Sequence, residues 1–118
     1  MIDQQDLTAY LQKNIPGFRG IDKNEKQGDV YAMVKQLLKH TTVQVAKHNI
    51  EAAKHCLSVA EQLYNKGNGV VKNAIENVFV FSFSHAFFSD EHKRREIIDI
   101  VPSSLYNLYK KQVINSHL

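Results

Sequence analysis

The chain has 118 residues, 43% apolar and 23% charged, with a formal net charge of +3 and one cysteine. That length supports one domain with a core of its own, and the apolar content excludes bulk disorder. A lone Cys56 excludes an internal disulfide scaffold, and the modest charge excludes a strongly polyanion-seeking chain.

In chain order, Asp3 or Asp6 is placed to cap a first helix in which Leu7, Tyr10 and Leu11 recur at helical spacing. Pro16-Gly17 ends it. Residues 17–28, GFRGIDKNEKQG, read as a polar linker between that helix and the main bundle. From Asp29, a natural N-cap, the residues Val30, Met33, Val34, Leu37, Leu38, Thr41 and Val45 form one apolar stripe. His48-Asn49 reads as a break. Residues 30–65 are then two helices, since one continuous helix would be long for a globular protein. Asn49 caps the second, with Ile50, Ala53, Leu57, Ala60, Leu63 and Tyr64 facing inward. Gly67 is expected to end it in the left-handed conformation.

Asn68 opens the most apolar stretch, and its end, VFVFSFSHAFF (Val78–Phe88), poses a choice between strand and helix. Alternation fails at Val78-Phe79-Val80-Phe81, and Val70, Val71, Ala74 and Ile75 upstream fit only a helix. On an α-helical wheel Val71, Ala74, Ile75, Val78, Phe81, Ser82 and His85 share one face. Phe79, Phe83 and Ala86 widen the arc on one side and Phe88 on the other, while Val80 and Phe87 lie almost opposite. A helix this apolar is central or covered by another chain. Asp90 or Ser89 caps the charged run DEHKRREIIDI, and Pro102 starts a last helix carrying Leu105, Leu108, Tyr109, Val113 and Ile114. The fold expected is all-α: a single-domain bundle of five or six helices over residues 1–118, partly arranged as antiparallel hairpins.

Chemistry is sparse. The six histidines form no His-Glu-x-x-His pattern and no Cys-x-x-Cys is present, so neither a metal nor a cofactor is expected. His48, His55 and Cys56 come nearest to a ligand set, and the break at Asn49 spoils it. His85 reads as a buried polar site, a core histidine satisfied by a neighbour. Its functional alternative is a general base in a small hydrolase-like enzyme, the least favoured reading because no acid or oxyanion hole accompanies it. Lys93, Arg94 and Arg95 are candidate anion contacts, diluted by Glu91, Glu96 and Asp99. A weak nucleic-acid-binding helical protein is the alternative they support, without the fuller basic stripe such modules carry. Charge is uneven: residues 31–72 hold six lysines against two glutamates, whereas residues 73–118 hold five basic and five acidic groups.

The N-terminus MIDQQDLTAY lacks a basic region and a long apolar run, and no stretch has about 18 uncharged apolar residues. The expectation is a cytoplasmic chain with no membrane partner. The run AAKHCLSVAEQLYNKGN (Ala52–Asn68) resembles the second half of a tetratricopeptide-type helical hairpin. The phrases KNAIENVFVFSFSHAFF and LYNLYKKQV resemble small uncharacterised bacterial all-helical domains. That resemblance implies no catalytic residues. Because some such proteins neutralise toxins of neighbouring cells, it implies the role of an immunity protein as one possibility. The function expected is a non-enzymatic domain that binds a protein partner or forms a homodimer, with Phe79, Val80, Phe83 and Phe87 as the contact surface.

Overall fold

A computed structural model describes residues 1–18 and 29–116. Most of the segment read as a polar linker, residues 19–28, lies outside the described residues. Helix α1 (Leu7–Asn14) follows a turn in which the Asp3 carboxylate accepts from the Gln5 and Asp6 N–H groups, each at 2.9 Å. Gly17, at φ 83°, then takes the left-handed turn after Pro16. Leu7, Leu11 and Ile15 are buried in the core, which fastens α1 to the bundle.

Side-chain caps set the next boundaries. Asp29 accepts from Ala32 N–H at 3.2 Å to start α2 (Val30–Ala46), and Asn49 accepts from Ala52 N–H at 3.3 Å to start α3 (Ile50–Lys66). Between them His48 sits at φ 58°, reversing the chain so that α2 and α3 pack as an antiparallel hairpin. Met33, Val34, Leu37 and Val45 of α2 and Ala53, Leu57, Ala60 and Leu63 of α3 are buried in the same core. Thr41, fully buried among them, returns its hydroxyl to Leu37 O at 2.7 Å and so leaves no orphan donor.

Gly67 is not left-handed; it is extended, at φ −75° and ψ 157°. The cause lies far away in sequence. Ile2 forms a parallel bridge to Gly67, donating to Lys66 O at 2.8 Å and accepting from Asn68 N–H at 2.8 Å. On its other side the residue is crowded too: a Cβ at position 67 would clash with Leu63 O and the Val71 side chain.

Asn68 accepts from Val71 N–H at 3.0 Å and opens a continuous helical rod. It comprises α4 (Gly69–Ala74), a π-helical turn (Ile75–Val80) and α5 (Phe81–Phe87). Asp90, accepting from His92 and Lys93 N–H, starts α6 (Glu91–Ile97), which a 3₁₀ turn (Ile98–Ile100) extends. Helix α7 (Ser103–Ser116) begins one residue after Pro102, whose carbonyl accepts from Tyr106 N–H. With the rod counted as one, the described residues form six helices and no paired strands. None is long and apolar enough to cross a membrane.

The π turn corrects the helical wheel. Its i→i+5 closure spends one extra residue per turn, so everything after it is rotated by roughly 100°. The buried series is therefore Val71, Ala74 and Ile75, then Phe79, Val80, Phe83, Ser84 and Phe88. Phe81, expected inside, is 60% exposed, His85 is exposed with it, and Ser82 is half-buried. Phe79, Val80 and Phe83, expected as a contact surface, are core residues, and Phe87 is half-buried.

Candidate functional site

The rotated end of the rod meets α7 and α6 through aromatic contacts. Phe83 stacks on Phe79 with ring centroids 5.9 Å apart and lies 4.8 Å from Phe87. Phe88 packs against Tyr109 at 4.5 Å and edge-on to Tyr106 at 6.1 Å. Arg94 closes the far side: its guanidinium lies 5.9 Å over the Phe88 ring and donates to Tyr106 Oη at 3.1 Å. Helix α7 also grips the π turn, because Gln112 Nε2 donates to Glu76 O at 2.7 Å and Lys111 Nζ lies 3.5 Å from Glu76 Oε1.

Between α5 and α7 a groove of about 250 Å³ remains open. Phe81, Phe88, Tyr109 and Val113 form its apolar walls, and Ser84, His85, Ser89 and Gln112 supply the polar edge. The two serine hydroxyls are already committed to backbone: Ser84 donates to Val80 O at 2.6 Å and Ser89 to His85 O at 2.7 Å. No carboxylate lines the groove among the described residues. The arrangement is suited to receive an apolar group, with an imidazole at its rim.

The other expected site residues lie apart. His85 is exposed at the groove edge rather than buried, because the π turn rotated it there. Of the basic run, Arg94 is spent between α6 and α7, and Arg95 pairs with Glu91 at 2.8 Å on the surface; Lys93 points to solvent. The three do not make one anion-binding face. His48 is at the hairpin turn, and the exposed His55 bonds through Nε2 to Asn14 O, tying α3 to the end of α1. Cys56 is buried between the hairpin helices. Burial pushes its thiol pKa up, and the Thr41 hydroxyl opposes that more weakly. Burial also raises the Tyr10 phenol. Among the described residues no three His, Cys, Asp or Glu side chains gather as a metal site.

Sequence reasoning missed the groove walls. Tyr109, Gln112 and Val113 stand at i, i+3 and i+4 on α7, a spacing that marks one face. Phe81 left no such signal, since its outward direction depends on the π turn.

The family model described as "Domain of unknown function (DUF7674)" matches residues 8–115. No curated protein matches the chain, and no solved structure does.

Proposed function

We propose that this chain, which belongs to the DUF7674 family, is a non-enzymatic protein-interaction domain working in the cytoplasm. Its contact surface is the α5–α7 groove. The supporting observation is Phe81, a large aromatic residue 60% exposed at the rim of an apolar groove, in a chain that buries its other phenylalanines in α5 and the π turn wholly or in part. An aromatic anchor beside a pocket is how compact interfaces concentrate their binding energy. The groove's two serine hydroxyls are turned to carbonyls, which favours recognition over catalysis. Inhibition of a toxin, the narrower form of this reading, would use the same surface.

The test is affinity capture from the native cell with three baits: the natural chain, Phe81→Asp, and Val43→Asp, a control on the exposed face of α2. The expected result is a partner retained by the natural chain and the control and lost with Phe81→Asp. Equal capture by Phe81→Asp, folded by circular dichroism, overturns the assignment.

A further inference from the structure

We infer that Arg94, Tyr106 and Lys110 form an anion site, separate from the α5–α7 groove, that takes a phosphate monoester. Tyr106 stands at its centre. Arg94 of α6 donates to the Tyr106 hydroxyl oxygen at 3.1 Å. Lys110 of α7, one turn on from Tyr106, holds its Nζ 5.3 Å from the centroid of the same ring. Two cations from two helices thus converge on one phenol. Donors outnumber acceptors around it. Arg94 gives one N–H to Tyr106 and keeps the rest of its fork. The Tyr106 hydroxyl, accepting from Arg94, has its own proton to give, and the Lys110 ammonium meets only a ring face. No carboxylate among the described residues pairs with either cation. The acidic groups of α6 are engaged elsewhere: Glu91 holds Arg95, Glu96 faces His92, and Asp90 caps the helix. Helix α7 contains no Asp or Glu.

The site is set before a ligand arrives. The Phe88 ring under the guanidinium and the bond to Tyr106 fix the plane of Arg94, so binding costs it little side-chain freedom. Arg94 and Tyr106 are half-buried and Lys110 is exposed, which leaves the donors open to solvent. Charge selects the ligand. A phosphate monoester carries about −1.5 to −2 at pH 7, which matches one guanidinium and one ammonium together. A carboxylate or a phosphate diester, with a single charge, leaves one cation unmatched. The planar fork of Arg94 suits two phosphate oxygens, and Lys110 supplies a mobile point charge to a third.

The test is nuclear magnetic resonance titration of the labelled full chain with methyl phosphate, at neutral pH and constant ionic strength, with dimethyl phosphate and acetate in parallel. Methyl phosphate should move the Tyr106 ring signals and the Arg94 side-chain N–H signals along a saturating curve. The diester and acetate should bind at least about tenfold more weakly. Lys110→Gln, which leaves the packing of Phe88 untouched, should weaken methyl phosphate about tenfold at unchanged melting temperature, and Tyr106→Phe should weaken it as well. Lys39→Gln, on the exposed face of α2, should change nothing. Shifts that stay linear in methyl phosphate overturn the inference, as does equal or tighter binding of acetate or the diester. Binding that Lys110→Gln and Tyr106→Phe both leave intact, or that Lys39→Gln weakens as much, overturns it too.

Discussion

Gly67→Ala tests how closely the end of α3 and the start of the helical rod pack around residue 67. Alanine suits this backbone, at φ −75° and ψ 157°, so conformational strain contributes nothing. The cost is steric. The new Cβ would clash with Leu63 O and lie 2.6 Å from Val71 Cγ1 and 2.8 Å from Val71 Cβ, where contacts under 3.0 Å are essentially never seen. Neither neighbour can yield easily: Leu63 O belongs to the last turn of α3 and already accepts from Gly67 N–H at 2.9 Å, and Val71 is fully buried. Overpacking of this kind costs about 1–3 kcal/mol. Moving residue 67 away instead loosens the two backbone bonds of Ile2, each worth about 1 kcal/mol. The stiffer unfolded chain of the alanine variant returns about 0.4–1 kcal/mol. The expected net loss is about 1–2 kcal/mol, a sizeable part of a domain stability of about 5–15 kcal/mol. Urea denaturation should show it as a lower midpoint at constant slope, with faster hydrogen exchange at Asn68 N–H. Gly69→Ala is the control, because nothing lies within 4 Å of its Cβ. It should be neutral or slightly stabilising. A Gly67→Ala loss below about 0.5 kcal/mol would refute the close approach.

The π register predicts an ordering. Phe79→Ala should cost about 3–5 kcal/mol and Phe81→Ala no more than about 0.5 kcal/mol, measured by the same denaturation; the reverse order would mean an uninterrupted α-helix. Asn68→Ala removes the acceptor for Val71 N–H and the 2.8 Å bond to Gln4, and should cost about 1 kcal/mol, with Asn68→Asp recovering the cap. Cys56 gives a pH dependence. Its thiol pKa is raised in the folded state, so the unfolded chain releases that proton first and stability falls as pH rises above about 8.5. Cys56→Ala should lack that part of the slope between pH 8 and 10; parallel stability profiles would exclude it.

Several features of this protein were legible in its order of residues because they are local. Asp29, Asn49, Asn68 and Asp90 cap the helices they precede, each reaching N–H groups two or three residues on, so short-range chemistry suffices to place those boundaries. The reversal at His48-Asn49 and the helical state of the phenylalanine-rich stretch follow from the same short-range reasoning. The register of that stretch does not. Phe79, Phe81 and Phe83 are chemically equal candidates for the core. The choice among them is made where the π turn and α5 pack on α2, Phe88 meets Tyr109 and α7 holds Glu76. Gly67 is extended because Ile2, distant in the chain, pairs beside it. Arg94 is turned inward because Phe88 and Tyr106 receive it. Hydrogen bonds to near neighbours decide where each helix starts; only contacts between distant segments decide which way its side chains face, and so where the exposed surface lies.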